Sequence, residues 1–460
     1  MLIRELDLTG KKLSKAEYKK LVPRANHSIE SAMQEIAPIL KRVKDGGQAE
    51  LIKLATEFDG VTPKFIAVSN TELKNALTKL DPQIRKSLEV AIDQVKKYHL
   101  TQVPADTSTS VITGGNIDRT FRAVDRVGLY VPGGIASYPS SVIMNVVPAQ
   151  IAGVSSIALA SPPQKENNGL PNSIILATCE LLGINEVYAV GGAQAIAMFA
   201  YGVKDLCESV DLVTGPGNIY VAAAKRSLRG LIGIDSEAGP TEIAVLADES
   251  AIASDVAADL ISQAEHDEMA AALLVTDSKD LITKVHAQLE IQLGKTKHKE
   301  RIKAALSGMQ SAIVLVDSID QGVDVINAYA PEHLEIIVKN SKQVSAKIRN
   351  AGAIFLDRFS PVSLGDYAAG SNHVLPTGGC ACHSSGLSVN TFMRNISVIH
   401  YDQNAFNQVA ADVVTLANAE DLPAHGAAIE VRFQKNKKRA SCLSRLLEVE
   451  ARLFGWTWKV

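Results

Sequence analysis

A short polar stretch places an amide, an imidazole and two carboxylates within five consecutive positions, Gln263-Ala264-Glu265-His266-Asp267. It continues a predicted helix, so Gln263 and His266, three residues apart, are expected on one helical face. A neutral imidazole is the commonest zinc ligand, whereas an amide oxygen is a rare one. An exposed polar turn at a helix end explains the same residues, and the sequence contains neither HExxH nor a paired CxxC. The stretch is therefore a candidate metal site, but the residue types alone do not distinguish a metal site from an exposed polar turn.

A carboxylate and an imidazole stand side by side at Glu332-His333. Pro331 disfavours the helical state of Ala330 and so marks a boundary before the predicted strand Leu334–Val338. Such a pair at the start of a strand provides a general acid/base pair, one group to take a proton and one to activate water. Two solvated loop residues are an equally simple interpretation.

Further candidates lie in a long loop rich in Gly, Ser and Pro, residues 360–386, and near the end of the chain. A compact domain keeps such a loop mainly when it serves a site. The loop carries Asp366 and His373, and Glu420 and His425 flank four residues of an otherwise apolar helical region. A lone histidine of this kind is more often a satisfied surface or core residue than a ligand.

Three glycine turns follow predicted strands: VPGG at Val131–Gly134, GGAQ at Gly191–Gln194 and TGPGN at Thr214–Asn218. Glycines let backbone amides approach a phosphate, and a helix N-terminus favours negative charge. The usual GxGxxG fingerprint after a first strand is absent. Nucleotide binding and simple tight turns both remain open from these residues.

The elements that must position these candidates follow from hydrophobic periodicity. The first hundred residues have helical spacing, and two runs of strands alternating with helices follow. The expected strands are Val127–Tyr130, Ser156–Ala160, Val187–Val190 and Val210–Val213, then Ile243–Leu246, Ala271–Val275, Ala312–Val316, Leu334–Val338 and Ala353–Leu356. The expected helices between them include Ser173–Leu182, Ala193–Tyr201, Ser254–Ala270, Lys279–Leu293, Ile319–Ala328 and Ser341–Asn350. This alternation predicts two successive doubly wound α/β units with parallel sheets, followed by a helical C-terminal segment.

The composition excludes several classes of protein. With 460 residues, 46% of them hydrophobic and 21% charged, the chain has the makeup of a globular protein of two or three domains. A net charge of −3 gives no indication of a nucleic-acid or membrane partner. Five cysteines argue against a disulfide framework, and Cys380-Ala381-Cys382-His383 lacks the second pair of a zinc finger. Without a signal-like apolar segment, the chain is expected in the cytoplasm.

Taken together, these motifs resemble the L-histidinol dehydrogenase family, with order and spacing that match over residues 28–432. The motifs are GLYVPGG at Gly128–Gly134, VGGAQAIA at Val190–Ala197, TGPGNIYV at Thr214–Val221, AGPTE at Ala238–Glu242, QAEHD at Gln263–Asp267, APEHLE at Ala330–Glu335, GDYAAGSNHVLPT at Gly365–Thr377 and the pair Glu420 and His425.

The resemblance implies two Rossmann-like units, one inserted in the other. Residues 28–128 plus 242–386 would form the main α/β domain, and residues 129–241 the inserted domain with the NAD-contacting turns. Residues 1–27 would be an N-terminal arm, and residues 387–460 a helical C-terminal dimer arm. The protein would be a homodimer.

The implied reaction is oxidation of L-histidinol to L-histidine through the aldehyde, with two NAD, one water and one Zn²⁺ per subunit. The resemblance assigns the zinc ligands to Gln263, His266, Asp366 and His425, and the catalytic pair to Glu332 and His333. His333 would take the alcohol proton, and Glu332 would activate the water. The substrate would contact these ligands, His333, Thr241, His373 and Glu420, while NAD would contact Tyr130, Gln194 and Asn218.

The resemblance also implies that Glu420 and His425 act in the partner subunit's site. Thr241 is a departure, because the family commonly has serine there. Two alternatives stay open: a homologous zinc- and NAD-dependent four-electron dehydrogenase of another small polar alcohol, and a zinc- or NAD-binding protein without dehydrogenase activity. The presence of both Glu332 and His333 speaks against the second alternative.

Overall fold

Short strands of two to six residues, most of them apolar, form two parallel sheets in the computed structural model, which describes residues 2–25, 29–133, 137–236 and 239–433. Gly134, Ala238 and the chain beyond residue 433 therefore lie outside the described residues. The strands are β1 (Glu5–Asp7), β2 (Thr107–Ile112), β3 (Gly115–Ala123), β4 (Arg126–Tyr130), β5 (Ser156–Ser161), β6 (Val187–Ala189), β7 (Leu212–Thr214), β8 (Gly233–Ile234), β9 (Glu242–Ala247), β10 (Ala271–Thr276), β11 (Ala312–Leu315), β12 (His333–Ile337), β13 (Ala353–Leu356) and β14 (Met393–Tyr401).

The helices connect these strands and cover both sheets. They are α1 (Lys15–Leu21), α2 (Ile29–Leu54), α3 (Asn70–Lys79), α4 (Pro82–Leu100), α5 (Pro139–Ala152), α6 (Ser173–Leu181), α7 (Gly192–Tyr201), α8 (Ile219–Leu228), α9 (Ala253–Ala264), α10 (Lys279–Leu293), α11 (Lys299–Ser307), α12 (Ile319–Tyr329), α13 (Ser341–Ser345), α14 (Val362–Tyr367) and α15 (Gln403–Ala419). None of the helices within the described ranges combines the length and apolar character needed to cross a membrane.

The six-stranded sheet has the strand order β1-β11-β10-β9-β12-β13, and its pairings are parallel. Every residue of β9 and β10 is buried, as expected for strands covered on both faces. Helices α9, α10 and α11 pack on one face, and α1 and α12 pack on the other.

The five-stranded sheet has the order β6-β5-β4-β7-β8, again with parallel pairings. Its central strand β4 is followed in sequence by β5 on one side and is flanked by β7 on the other. This is a topological switch point, where α/β proteins form a crevice at the carboxyl ends of the strands. Helices α4, α5 and α6 cover one face, and α2, α7 and α8 cover the other. Gly128 lets α7 approach β4, since a Cβ there would lie 2.5 Å from the Phe199 ring.

The chain divides into two compact units: Met1–Val103 with Ala123–Arg394, and Pro104–Arg122 with Asn395–Val460. Both parallel sheets belong to the first unit. The second contains α15, helical residues 423–433 and most of a three-stranded sheet of order β14-β3-β2, in which β2 and β3 form an antiparallel hairpin.

The predicted fold class, two doubly wound α/β units with helical segments, is confirmed. Four details of the sequence analysis are wrong. The first hundred residues are not all helical, because β1 pairs with β11. The helix expected over 254–270 ends at Ala264, because the chain must turn before β10 begins at Ala271. The long loop contains α14, and a strand, β14, precedes the C-terminal helix. The domain boundaries inferred from the resemblance stay a prediction.

Candidate active site

The catalytic candidates meet at the amino ends of adjacent strands in the six-stranded sheet. Thr241 immediately precedes β9, and Glu332 immediately precedes β12; these two strands pair in parallel with His333 opposite Ile243. Helix α9 runs back across the sheet, so its last turn delivers Gln263 to this same edge. The site therefore lies opposite to the carboxyl edge at which open α/β sheets usually bind ligands.

A chain of hydrogen bonds joins Gln263 to Glu332. The Gln263 amide nitrogen donates to Thr241 Oγ1 at 2.6 Å, and the Thr241 hydroxyl donates to Glu332 Oε2 at 2.6 Å. The backbone N–H of Glu242 donates to the same Glu332 oxygen at 2.8 Å. Thr241 thus holds a predicted metal ligand and a predicted catalytic carboxyl group at fixed separation, and its hydroxyl proton is already engaged.

His333 is held as one tautomer by the backbone. Its Nδ1 lies 3.1 Å from the Glu242 carbonyl oxygen, which only accepts, so Nδ1 carries the proton. Nε2 is then the basic nitrogen, and it is buried without a hydrogen-bond partner among the described residues. Burial lowers the pKa of His333, which keeps the imidazole neutral and able to take a proton. Glu332 Oε2 lies 3.5 Å from Nδ1.

Glu332 is a buried carboxyl group whose pKa is set by two opposing effects. Burial raises its pKa to about 8, although the hydrogen bonds from Thr241 and Glu242 act in the opposite direction. A carboxyl group of this kind changes its charge near neutral pH, which is the property that a general acid or base needs.

The remaining candidates of the first unit surround this pair. Burial lowers the pKa of His266, whereas the Asp366 carboxylate acts to raise it, as it does for His333 and His373. These four side chains are therefore within electrostatic reach of each other. His266 lies beyond the end of α9, not on its face as expected, because α9 stops at Ala264. Asp366 is on α14.

His373 is bonded through both ring nitrogens. Nδ1 donates to the Asp366 carbonyl oxygen at 3.0 Å, and Nε2 accepts from the Ser141 hydroxyl on α5 at 3.1 Å. One helical turn further along α5, Asn145 accepts a hydrogen bond from Thr214 in the third glycine turn at 2.7 Å. Helix α5 thus connects the loop that carries Asp366 to a candidate cofactor turn.

Glu420 and His425 belong to the second unit, and both are exposed there. Glu420 follows the last residue of α15, and the His425 backbone N–H donates to the Leu422 carbonyl at 3.0 Å. Over the described ranges, no three His, Cys, Asp or Glu side chains are grouped as a metal site. The first unit contains three of the four predicted ligands. Two of them, His266 and Asp366, are of these residue types, and the third, Gln263, is an amide.

The three predicted cofactor residues lie at the carboxyl edge of the five-stranded sheet. Tyr130 ends β4, and its hydroxyl accepts from the Gly192 N–H at 3.0 Å. Gln194 is buried in the first turn of α7. Asn218 is the N-cap of α8, and its side chain accepts from the N–H groups of Tyr220 and Val221 at 3.1 Å.

A buried ion pair that the sequence analysis missed supports the third glycine turn. Lys225 Nζ contacts Asp235 Oδ1 at 2.6 Å, and Asp235 Oδ2 accepts from the Gly215 N–H at 2.8 Å. Gly215 has φ of +121°, and a Cβ there would lie 2.0 Å from the Tyr130 carbonyl oxygen. The sequence signal that could have indicated this ion pair is a lysine within the apolar run of α8.

Asp59 is a second missed residue, at the end of a π-helical turn, Ala55–Asp59. Its Oδ1 would lie 3.1 Å from a Cβ at Gly191, and its Oδ2 is buried without a partner among the described residues. Burial raises the pKa of Asp59 to about 6. Nothing in the local sequence distinguishes this carboxylate from a surface one.

Comparison with known proteins shows the family to which this chain belongs. The histidinol dehydrogenase family model matches residues 22–433. Histidinol dehydrogenase from Thermobifida fusca is 57% identical over 439 residues, covering 95% of this chain and 99% of that protein. The enzyme from Streptomyces avermitilis is 56% identical, with 94% and 98% covered. The crystal structure of histidinol dehydrogenase from Elizabethkingia anophelis superposes with a TM-score of 0.88 at 33% identity, covering 95% of this chain and 99% of that one. The chain belongs to the histidinol dehydrogenase family.

Proposed function

We propose that this chain oxidises L-histidinol to L-histidine through L-histidinal, the final step of L-histidine biosynthesis, as a cytoplasmic homodimer that uses two NAD, one water and one Zn²⁺ per subunit. The observation that carries the proposal is the buried pair Glu332 and His333, held by Thr241 and Glu242. Both groups are placed to exchange protons, which a protein that only binds zinc or NAD does not require.

The residues of the first unit fit zinc. Gln263, His266 and Asp366 offer an amide oxygen, an imidazole and a carboxylate, and His425 would complete the set. The Gln263 amide nitrogen is engaged by Thr241, so the oxygen remains for a metal. Burial favours the neutral form of His266, the form that binds metal. When bound, Zn²⁺ polarises the substrate's alcohol and carbonyl oxygens.

The carboxyl edge of the five-stranded sheet fits NAD. Gly191 leaves a space that a Cβ would fill against Pro162 and Asp59, and the buried Asp59 Oδ2 lacks a donor among the described residues. A ribose hydroxyl is a suitable donor for such a carboxylate. Tyr130, Gln194 and Asn218 would complete the contacts. When bound, NAD accepts a hydride in each of the two oxidations.

The chain's own residues would move the protons. His333 Nε2 takes the hydroxyl proton of L-histidinol as the carbon loses its hydride, which leaves L-histidinal. Glu332 takes a proton from the water as its oxygen adds to the aldehyde carbon, and protonated His333 gives its proton to the former carbonyl oxygen. This forms the hydrate and leaves His333 free to accept the next hydroxyl proton. The hydrate then loses its hydride and a hydroxyl proton to give the carboxylic acid. A second oxidation of this kind needs water, since an aldehyde has no hydroxyl group to deprotonate.

The site would be shared between two subunits, with Glu420 and His425 acting beside the partner's zinc ligands. Their exposure in the second unit is compatible with this role. Mixing a Gln263→Ala variant with a His425→Asn variant tests the sharing. A mixed dimer would contain one intact site, so partial recovery of activity supports sharing, and no recovery in verified heterodimers contradicts it.

The function itself is tested with limiting L-histidinol and excess NAD. We expect two NADH and one L-histidine for each L-histidinol consumed, with zinc loaded. No turnover of L-histidinol by the zinc-loaded protein would favour another small polar alcohol as the substrate. His333→Asn is the matched control, because it leaves the zinc ligands intact but removes the basic Nε2.

A further inference from the structure

Glu335 is a buried carboxyl group on β12, two residues beyond His333 and therefore on the same face of the strand. Its side chain is 2% exposed. Glu335 Oε1 accepts a hydrogen bond from the backbone N–H of Val362 at 2.7 Å. Val362 is the first residue of α14, the helix that carries Asp366. The first N–H groups of a helix have no hydrogen-bond acceptor within the helix. Glu335 therefore supplies an acceptor for the first N–H of α14.

Glu335 also lines a small cavity together with a second carboxyl group, that of Asp259. Asp259, one helical turn before Gln263 on α9, lies within hydrogen-bonding reach of Glu335. Glu335 Oε2 is buried, and no N–H or O–H donor of the described residues reaches it. Two carboxylates cannot bond without a proton, so the pair shares one. Burial raises the pKa of both carboxyl groups, which favours a protonated member of the pair.

The cavity beside this pair is lined by further charged groups, of which the Asp255 carboxylate acts to raise the pKa of Asp259. Asp259 and Glu335 line a cavity of about 90 Å³ together with Asp255, Asp357 and Arg358. Arg358 Nε bonds Asp255 at 2.7 Å, so its charge is directed to that neighbour. The carboxyl pair is therefore a direct contact between α9 and β12, and through Val362 it extends to α14.

We propose that the Asp259–Glu335 pair is a positioning device for the zinc site. It fastens together α9, which ends next to Gln263 and His266, α14, which carries Asp366, and β12, which begins at His333. The inference rests on the proposed function, because it takes Gln263, His266 and Asp366 as zinc ligands. Neither carboxyl group touches the metal or the substrate.

The geometry explains why such a device is needed. The ligands come from two helices and a turn, whereas zinc accepts distances only within about 0.2 Å of their preferred values. Helix α14 is six residues long, too short to hold its own position. It sits close to β13, because a Cβ at Gly365 would lie 2.6 Å from the Phe355 ring. The bond from Val362 to Glu335 fixes the start of this helix.

Two substitutions of Glu335 separate positioning from mere packing. Glu335→Gln keeps an oxygen for the Val362 N–H and gains an N–H that donates to Asp259, so zinc affinity should stay within about threefold of wild type. Glu335→Leu removes both bonds at similar volume, and zinc affinity should fall about 10- to 100-fold, the range for groups that orient metal ligands. The zinc dissociation constant is measured by competition with a chromophoric chelator.

A third variant tests the same bond without changing either carboxyl group. Val362→Pro removes the donor N–H, and proline is tolerated at the first position of a helix. The preceding Pro361 has φ of −69° and ψ of 157°, a conformation that a following proline allows. We expect zinc affinity to fall about tenfold. This variant keeps the inference testable if Glu335→Leu does not fold.

A control variant accounts for general loss of stability. Glu186→Leu breaks the Arg126–Glu186 ion pair in the five-stranded sheet, away from the zinc ligands. It should lower the melting temperature of the metal-free protein but leave zinc affinity unchanged. The inference is overturned if Glu335→Leu and Val362→Pro bind zinc as tightly as wild type, or if Glu335→Gln is as weak as Glu335→Leu. By contrast, a wild-type protein that binds no zinc would overturn the proposed function.

Discussion

Replacing Thr241 with valine removes one hydroxyl group and keeps the shape of the side chain. In the folded protein that hydroxyl donates to Glu332 Oε2 at 2.6 Å, leaving the Glu242 N–H as the other donor to this oxygen at 2.8 Å. The ionised form of Glu332 loses one of its two hydrogen bonds. Since a hydrogen bond to a carboxylate stabilises the charged form, the pKa of Glu332 must rise in the variant.

The size of this rise follows from the strength of the bond. A hydrogen bond to a charged group contributes about 1.5–3 kcal/mol, and one pKa unit corresponds to about 1.4 kcal/mol. The pKa of Glu332, about 8 in the wild type, should therefore rise by roughly one to two units. At pH 8 the ionised fraction would fall from about one half to between about 10% and 1%. A step that needs ionised Glu332 should slow by roughly 5- to 50-fold at this pH.

The assay is the pH profile of L-histidinal oxidation by zinc-loaded protein. The rate should increase with pH as Glu332 loses its proton, and the midpoint should be higher for Thr241→Val than for wild type. The deficit should shrink above pH 10. Thr241→Ser keeps the hydroxyl and is the matched control, with a wild-type midpoint. A valine variant with an unshifted midpoint, or with the same deficit at every pH, would show that the Thr241 hydroxyl does not set the pKa of Glu332.

Four further results are expected from three variants. Glu332→Gln should slow L-histidinal oxidation about 10²- to 10⁴-fold in single-turnover experiments. The metal-free form of Glu332→Gln should gain thermal stability relative to wild type as pH rises from 5 to 9. The reason is that the folded-state pKa of Glu332 is raised to about 8 from 4.5, so ionisation of this group opposes folding of the wild type over that window. A difference in stability that stays constant with pH would contradict this. His333→Asn should slow the first hydride transfer about 10²- to 10⁴-fold without loss of bound zinc. Lys225→Met should lower the free energy of unfolding by about 3–5 kcal/mol in denaturant titrations, since Asp235 stays buried without its partner, and adding Asp235→Asn should restore part of it.

The parallel sheets were predictable because their strands are covered on both faces. Runs such as those of β9 and β10 are apolar at nearly every position, and turn residues separate them from helices. The strand expected from Leu334 begins one residue earlier in the structure, at His333, and its approximate start was predictable because Pro331 ends the preceding segment. The same rule placed Glu332 and His333 at the start of a strand. It did not indicate which other segments would meet them at that edge of the sheet.

The three-stranded sheet was not predictable from the same pattern. Strand β2 is exposed at nearly every position, so it has no alternation of apolar and polar residues. Gly114-Gly115 in the hairpin is a turn signal, but its flanks lack the apolar alternation that would identify strands.

The relations within the site depend on tertiary contacts between distant segments. Thr241 bridges Gln263 and Glu332, which are 69 residues apart in the chain, and Asp259 lines a cavity with Glu335, which is 76 residues further along. Spacing along the sequence carries no information about such contacts. The choice of an amide, Gln263, as a zinc ligand came from the family resemblance and remains a prediction.

Zinc-dependent oxidation of L-histidinol is tested most directly by titrating metal-free protein with zinc and measuring L-histidinol-dependent NADH formation. Activity should rise in proportion to added zinc and stop rising at one zinc per subunit, with two NADH formed for each L-histidinol. Full activity in protein that is free of divalent metal, or activity that zinc does not restore, would contradict the central claim.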